Sequence, residues 1–472
     1  MNALLKKLNG IYETIKSREK LVWFLFILAN YYCYLRLSIG TPICFDDCHD
    51  YINLMGSGTY DEFLKNYETV WRPWFLPLFY WLFGNYDLAS AANIMLAQTT
   101  IQYISWIIFA KVVSGLFTGK TARIVFLAVS LSAYIQQYYV FNKFLKSDSM
   151  ALALVLLLFS LVFGFDKLIR KIGFWWGLLL LALCALFAAG TRDSIVMLVI
   201  LGMAYVILLN RNLLKRWQIL LVFLCLTAVS VNQVIHFRER QSYTTSHIIA
   251  GFVLPDPEIR KNFTDMGMPE TIGLGFHLNS QPWCSANYQQ ILGGLYAMKI
   301  PMDFIKKAPN LYMRWLLSHP FYILKQSYND LDCILGQSFT ESPSFHFGKY
   351  PTSEVSFPRP GEKVITIQQG LSRISPSDFL GIRTKLVLAA LCSAFLLIVL
   401  FKRRDAYISA PLFLVFSGVL NAVASYFSDL WEPSEMLRHA FIGSILFNVG
   451  VMISAISVVY FFICRRKKAE KS

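Results

Sequence analysis

Long apolar runs separated by short polar turns dominate the hydrophobic pattern of this chain. Ten runs approach the length of about 20 residues that a helix needs to cross the hydrocarbon core of a bilayer. They lie at about 21–39, 88–110, 122–141, 149–165, 173–190, 194–209, 218–235, 384–401, 407–427 and 440–463. The fourth and sixth runs are short, which suggests tilted or partly buried helices. The pattern therefore predicts an all-α polytopic membrane protein with about ten transmembrane helices.

The first polar interruption, about 40–87, carries two weaker helical signals. Residues 60–67 have the spacing of a short amphipathic helix, and the aromatic run 71–84 is too short to span a membrane. Trp and Tyr favour the headgroup layer, so we expect this run to lie along the interface. The predicted N-terminal transmembrane module, 1–235, contains this first outer loop.

The fourth and longest outer segment, 236–383, holds twelve of the seventeen prolines, which excludes continuous membrane helices there. Within it, 301–335 predicts an amphipathic helix that breaks near His319-Pro320. We expect one long extracytoplasmic loop, followed by C-terminal transmembrane helices and a basic cytoplasmic tail, 384–472.

The charges test this arrangement. Composition is 56% hydrophobic and only 15% charged, yet the net charge is +15. Every turn that alternates with the outer loops is basic, as the positive-inside rule requires of cytoplasmic segments. These residues are Lys6, Lys7, Lys16, Arg18, Lys20, Lys111, Lys120, Arg123, Lys167, Arg170, Lys171, Arg211, Lys215, Arg216, Lys402, Arg403, Arg404, Arg465, Arg466, Lys467 and Lys468. The basic balance therefore reflects topology with both termini cytoplasmic, and it indicates no nucleic-acid partner.

Three carboxylates and an imidazole follow the first apolar run within five residues, at Asp46, Asp47, His49 and Asp50. Adjacent like charges repel each other, and at a bilayer boundary they also resist desolvation. A solvated acidic loop is one interpretation. The other is a carboxylate site at the membrane surface, in which one group acts as a general base.

Further charged and polar residues collect on the same predicted outer face. They are Tyr51, Arg72, Lys146, Asp148, Arg192, Asp193, Glu435, Arg438 and His439. A lipid-linked phosphate needs Arg or Lys to hold its charge, and a hydroxyl acceptor needs a carboxylate to take its proton. Nucleotide triphosphates are normally lacking outside, which favours a lipid-phosphate sugar donor over a nucleotide sugar.

Three groups of these residues also have a structural interpretation. Arg192-Asp193 would form a neutralising surface pair, Ser147 or Asp148 would cap the fourth helix, and Arg438-His439 would anchor the last helix at the interface. The histidines show no metal-ligand spacing, so we expect no metal site and no other cofactor. A divalent metal stays open as the alternative. The nine cysteines form no CxxC motif. A disulfide among Cys44, Cys48, Cys284 and Cys333 is an alternative whose pairing stays open.

The order of these motifs resembles the GT-C superfamily of integral membrane glycosyltransferases, in the branch of aminoarabinose and protein O-mannosyl transferases. The matching pieces are an acidic pair and nearby tyrosine after the first span, an Arg-Pro run ending in Leu-Phe-Gly, Ser-Asp opening the fourth helix, and Arg-His opening the last one. They stand at Asp46-Asp47 with Tyr51, at 72–84, at Ser147-Asp148 and at Arg438-His439. Bacterial glucosyltransferases that modify O-antigen in lipopolysaccharide share this layout and size.

The resemblance implies a GT-C-like fold and inverting transfer from a polyprenyl-phosphate sugar to a glycan or lipid-linked acceptor at a bacterial inner membrane. It implies that Asp46 or Asp47 is the catalytic base, with Asp46 the first choice. Donor-phosphate binding would fall to Arg438, Arg192, Lys146 and Arg72. Substrate binding would fall to His49, Asp50, Tyr51, Asp148, Asp193, Glu435 and His439. An O-antigen polymerase or ligase and a membrane transporter are the alternative functions.

The topology generates the first prediction. A cysteine at position 265, in the long loop, should react with a membrane-impermeant thiol reagent in intact cells, because the flanking basic segments place this loop outside. The unsubstituted chain, labelled in parallel, corrects for the native cysteines. Protection in intact cells with labelling after lysis would reverse the orientation.

Overall fold

The computed structural model is helical throughout the core that it describes, without strands in that part of the chain. It describes residues 19–39, 59–67, 73–83, 88–135, 142, 147–210, 215, 217–218, 221, 224, 245, 248–254, 256–270, 302–329, 331, 334–335, 381–402, 405–428 and 433–469. The helices are numbered here in chain order. They are α1 Glu19–Ser38, α2 Tyr60–Tyr67, α3 Phe75–Phe83, α4 Leu88–Ser114, α5 Gly119–Ile135, α6 Asp148–Ile172, α7 Phe174–Ala189, α8 Val196–Asn210, α9 Pro257–Asp265, α10 Met302–Ile305, α11 Ala308–Ser318, α12 Pro320–Asn329, α13 Ile382–Lys402, α14 Ala406–Ser428 and α15 Pro433–Ala469.

Local sequence explains several of the helix boundaries. Gly173 separates α6 from α7 with φ of 86°, a left-handed conformation that glycine adopts without strain. Asp256 caps α9, since its side chain accepts hydrogen bonds from the amides of Glu258 and Ile259. A 3₁₀ turn, Asp193–Ile195, leads into α8, and a π turn, Ile249–Val253, precedes α9.

Five helices in the described part of the chain are long and apolar enough to cross a membrane, which indicates an integral membrane protein. They are Glu19–Ser38, Asp148–Ile172, Ile382–Leu400, Ala406–Ser428 and Ala440–Arg466. Two shorter apolar helices are Phe174–Ala189 and Val196–Leu208. The number of ten spans stays a prediction, and the predicted span 218–235 lies almost wholly outside the described residues.

Two further predicted spans, 88–110 and 122–141, have helices that belong to neither of these groups. Helix α4 has 27 residues, but Asn93, Gln98, Thr99 and Gln102 reduce its apolar character. Helix α5 is described over 17 residues, and the end of its predicted span, 136–141, lies outside the described residues. The predicted fourth span, 149–165, is too short, because α6 continues to Ile172 and includes basic residues that the sequence assigned to the following turn.

The two smaller helical predictions are confirmed. Helix α2 covers the amphipathic segment 60–67. The long-loop segment forms α11 and α12, and the helix breaks at His319, where the backbone departs from helical dihedral angles just before Pro320. Proline disfavours the α conformation in the residue that precedes it, which explains the position of the break.

Helix ends gather at two opposite ends of the bundle. At one end, Arg123 Nη2 lies 2.9 Å from Glu19 Oε1, and Lys167 Nζ donates to the Gly115 carbonyl at 3.0 Å. The Thr118 and Tyr460 hydroxyls meet there at 2.8 Å. These contacts bring the starts of α1 and α5 together with the ends of α4, α6 and α15. We call this the basic end, since lysines and arginines continue beyond it.

The opposite end, here called the polar end, joins the end of α1 and α7 with the starts of α6 and α8. The apolar core lies between the two ends, with Trp106, Phe109, Phe159 and Phe165 among its fully buried side chains. A second apolar cluster connects the described parts of 248–335 to the C-terminal helices, where Phe252 and Trp315 share a core with Tyr426 and Phe447.

Helices α14 and α15 pack with their backbones in close approach. A Cβ added at Gly443 would lie 2.5 Å from Ala422 N and 2.6 Å from Gly418 O, and one added at Gly450 would lie 2.7 Å from Val415 N. Small residues allow such contact in membrane proteins, where helix association depends on packing rather than on expulsion of water. This pair of helices therefore depends on glycine at the contact.

The packing predicts that Gly443→Ala destabilises the protein by about 1–3 kcal/mol, because the added methyl group meets backbone atoms that cannot move aside. Gly164→Ala is the matched control, since its Cβ would meet only Val112 Cγ1, at 3.6 Å. Thermal unfolding in detergent should show a lower midpoint for Gly443→Ala alone. Equal midpoints for the two variants would show that the α14–α15 contact is not this close.

Candidate functional site at the polar end

An ion pair between Arg192 and Asp148 lies at the centre of the polar end. Asp148 is the first residue of α6, and Arg192 lies in the turn that joins α7 to the 3₁₀ turn. Arg192 Nη1 donates to Asp148 Oδ1, and the two side chains are only 7% and 1% exposed. The pair therefore joins two turns that are 44 residues apart in the chain.

Burial makes this pair energetically demanding. Removing two charges from water costs several kcal/mol per ion in proteins, and mutual attraction offsets this only when the remaining donors and acceptors are also satisfied. Arg192 Nη2 is buried and has no hydrogen-bond partner among the described residues. A guanidinium group carries five N–H donors in a planar fork, so this nitrogen is available to an anionic or carbonyl oxygen.

Helix α14 presents a row of polar side chains towards the same turn. Asn421 Nδ2 donates to the Ser194 carbonyl at 2.8 Å, which fixes α14 to the 3₁₀ turn. Ser417, Asn421 and Ser425 are each at most 1% exposed and are four residues apart, so they share one face of the helix. Asn421 Oδ1 and the hydroxyls of Ser417, Ser425 and Ser194 are buried without a partner in the described structure.

A second hydrogen-bonded group fixes the start of α6. Asn142 Nδ2 donates to Ser38 Oγ at 3.0 Å, and Ser149 Oγ donates to Asn142 Oδ1. All three side chains are fully buried. They connect the end of α1 to the turn that carries Asp148. The Asp148 carboxylate is therefore held by the helix position as well as by Arg192.

Helix α3 packs directly beside the Arg192 turn. The Phe75 amide donates to the Gly190 carbonyl at 2.9 Å, and a Cβ at Gly190 would lie 2.8 Å from the Trp74 indole. Glycine is therefore required at position 190 for the aromatic segment to reach α7. Leu76, Phe79 and Tyr80 are buried, whereas Leu82 and Phe83 are exposed. The aromatic run forms a short helix, as the sequence predicts.

The remaining sequence-predicted site residues are placed only in part. Seven lie outside the described residues, namely Asp46, Asp47, His49, Asp50, Tyr51, Arg72 and Lys146. Glu435, Arg438 and His439 lie in the first two turns of α15, and Asp193 lies in the 3₁₀ turn, but none of these four side chains is described. The described structure thus brings together only Asp148 and Arg192 from the predicted set.

The chain does enter and leave the undescribed segments at the polar end. Ile39 precedes the acidic loop, Ser147 follows the segment that carries Lys146, and Pro433 opens the helix that carries Arg438. In the described part of the chain, no three His, Cys, Asp or Glu side chains cluster closely enough to hold a metal ion. The acidic cluster lies outside that part.

Two structural interpretations from the sequence are wrong. Arg192 is buried, so it does not belong to a neutralising pair on the protein surface. Ser147 occupies the N-cap position of α6 but makes no side-chain capping hydrogen bond, and Asp148 binds Arg192. The polar row on α14 was missed by sequence reasoning. Its signal is the four-residue spacing of Ser417, Asn421 and Ser425 within an otherwise apolar run.

The ion pair generates a stability prediction. Asp148→Asn and Arg192→Gln should each cost about 3–5 kcal/mol, because each removes one partner of a buried ion pair and leaves the other charge buried without it. The double variant should lose much less than the sum, since two neutral amides replace two charges. Thermal unfolding of the four proteins in detergent gives the coupling free energy as a double-mutant cycle.

The exposed pair of Asp166 and Arg170 is the matched control. It has the same residue types at 2.8 Å but side chains that are 39% and 69% exposed. A surface pair of this kind within a helix contributes only about 0.3–0.5 kcal/mol. A coupling free energy for Asp148 and Arg192 as small as that for the control pair would contradict the buried arrangement.

No family model matches this chain, and neither a curated protein nor a solved structure does. The chain's own residues at the polar end include a buried arginine whose Nη2 has no partner in the described structure, the polar row of α14 and the helix ends next to the segment with the acidic cluster.

Proposed function

We propose that this protein is a membrane glycosyltransferase that transfers a sugar from a polyprenyl-phosphate donor to a hydroxyl group of an extracytoplasmic glycan or lipid-linked acceptor. The observation that carries the proposal is the buried Arg192, whose Nη2 has no partner in the described structure. An arginine held by a carboxylate and left with free donors suits the oxygens of a phosphate. The resemblance to GT-C enzymes supplies the sugar and the lipid carrier.

In the proposed reaction a carboxylate acts on the acceptor hydroxyl and cations bind the donor phosphate. One aspartate of the pair Asp46-Asp47 takes the proton from the acceptor hydroxyl as its oxygen forms a bond to the anomeric carbon. The bond from that carbon to the phosphate oxygen breaks, and its electron pair leaves with the lipid phosphate. Attack from the face opposite the leaving group inverts the anomeric centre.

The phosphate gains negative charge as it leaves, so fixed cations contribute most in the transition state. Arg192 is held by Asp148, and we assign it to the donor phosphate together with Arg438. Lys146 and Arg72 lie in segments next to α6 and α3 and serve as helpers. His49, Asp50, Tyr51, Asp193, Glu435 and His439 are assigned to sugar and acceptor hydroxyls, whose many donors and acceptors suit mixed polar side chains.

The proposal includes a GT-C-like arrangement of about ten spans, with the polar end outside and both termini in the cytoplasm of a bacterial inner membrane. The charge distribution supports this orientation, because basic side chains collect at the basic end and in the tail. The polar end lies opposite, where α3 offers an aromatic segment of interfacial character. A donor with a membrane-embedded lipid tail and a phosphate at the boundary would approach this end of the bundle.

The positions of charge favour an enzyme over a transporter. In the described apolar helices, ionisable acidic and basic residues stand in the first or last turns or close to them, and none stands in the middle. Transporters place such residues near the bilayer midplane, at broken helices. An O-antigen polymerase or ligase is the alternative enzyme, and it would be distinguished by transfer of a lipid-linked glycan rather than a single sugar.

The experiment is single-turnover transfer by purified protein in nanodiscs, with a panel of polyprenyl-phosphate sugars and acceptor glycans. We expect Asp46→Asn to bind donor normally but to lose transfer by about 10²- to 10⁴-fold, the range for a general base. Asp47→Asn should lose less. The matched control is Asp61→Asn, an exposed aspartate of α2 in the same outer loop, which should transfer at the wild-type rate.

The outcomes separate the parts of the proposal. A dead Asp47→Asn protein beside an active Asp46→Asn protein would exchange the roles of the two aspartates. Activity in both variants would remove the acidic pair from catalysis. Transfer of whole lipid-linked glycans, with no use of single-sugar donors, would favour the polymerase or ligase.

A further inference from the structure

Helices α11 and α12 form an amphipathic pair with one face packed into the protein. Trp315 is 1% exposed, and its ring lies 5.7 Å from Phe252, 5.8 Å from Phe263 and 5.1 Å from Tyr322, measured between centroids. His319 stacks on the same indole at the break between the two helices. This inner face anchors the pair to the rest of the long loop.

The pair is also fixed to the end of a membrane-spanning helix. Tyr312 Oη donates to the Phe427 carbonyl at 2.7 Å, and Gln326 Nε2 donates to Tyr426 Oη at 3.4 Å. Helix α14 ends at Ser428, one residue after Phe427. If Ala406–Ser428 crosses the bilayer, α11 and α12 lie at the level where the hydrocarbon core meets the headgroups. Position along the membrane normal is therefore set by direct contacts.

The outer face of the pair exposes a stripe of large apolar side chains. We call Met313, Leu317, Phe321, Leu324 and Tyr328 the apolar stripe. Phe321 is 84% exposed and Leu317 is 77% exposed. Large apolar side chains that are this exposed and that recur at helical spacing are unfavourable in water and mark an interaction surface. At the end of a membrane span, the nearest apolar medium is the outer part of the acyl region.

Charge on the same segment matches a lipid surface. Lys306, Lys307, Arg314 and Lys325 are all exposed, and no Asp or Glu occurs between residues 304 and 329. Arg314 and Lys325 lie directly beside members of the apolar stripe. Their long side chains can cover apolar surface while the charged groups reach lipid phosphates.

We propose that the apolar stripe inserts into the membrane interface, so that α11 and α12 lie in the plane of the bilayer and bind anionic lipid headgroups through the four cations. The long loop is then held against the membrane at two places, through α14 and through the lipid. This inference does not depend on the glycosyltransferase assignment. It requires only that α14 spans the bilayer.

Spin labels test this placement. Nitroxide is attached to Leu317→Cys and Phe321→Cys in nanodiscs of phosphatidylcholine with phosphatidylglycerol, and collision rates are measured with oxygen and with a polar nickel chelate. Oxygen concentrates in the acyl region and the chelate stays in water. We expect a several-fold higher oxygen-to-chelate ratio at both positions than at Lys261→Cys, an exposed position on α9. The unsubstituted chain, labelled in parallel, corrects for native cysteines.

Each outcome decides the question. Chelate access at position 321 equal to that at 261 would show a stripe in water and overturn the proposal. Protection from both reagents together with dipolar broadening between labels would show a second copy of the chain on the stripe, which also overturns it. The substitution pair Lys306→Gln and Lys325→Gln should lower the ratio at 321, and removal of phosphatidylglycerol should have the same effect. If neither the lysine substitutions nor the removal of phosphatidylglycerol changes the ratio at position 321, the four cations do not bind anionic headgroups.

Discussion

The buried ion pair of Arg192 and Asp148 constrains the polar end more than any other interaction described. A charge in that position has to be compensated, so the start of α6 and the end of α7 are held together. The constraint extends further because Ser194, two residues beyond Arg192, accepts a hydrogen bond from Asn421 of α14. The ion pair therefore holds the start of α6 against the end of α7, and the Ser194 carbonyl adds α14 to this group. Arg192 Nη2 has no partner among the described residues.

The contacts between charged and polar side chains differ in burial between the two ends of the bundle. At the basic end the contacts are between partly exposed side chains, such as Arg123 with Glu19, and contribute little because water competes for them. At the polar end they are buried, and they involve neutral amides and hydroxyls as well as charges. The first arrangement suits a surface that needs positive charge but no particular geometry. The second suits a surface where the position of each donor matters.

The sequence predicts the positions of many helices, because helix formation follows from the periodicity of apolar residues. Apolar run length predicts the helices of the bundle, and the pairing of His319 with Pro320 predicts the break between α11 and α12. Amphipathic spacing predicts α2. The pairing of Arg192 with Asp148 does not follow from any local pattern, because it depends on how two turns meet across 44 residues. From the sequence alone, Arg192 is expected to pair with its neighbour Asp193, the nearest carboxylate along the chain.

The close approach of α14 and α15 explains why the polar row on α14 is available to the site. Gly418 and Ala422 meet Gly443 of α15, so that face of α14 has no room for side chains of any size. Asn421 follows on the adjacent face and meets the 3₁₀ turn, while Tyr426 and Phe427, one to two turns later, hold α11 and α12. Within ten residues, one helix contacts α15, the Arg192 turn and the long loop. Phe427 and Asn421 belong to one continuous helix, so the contact with the long loop and the contact with the Arg192 turn lie on the same element. Helix α14 therefore connects the described part of the long loop to a side chain that holds the Arg192 turn.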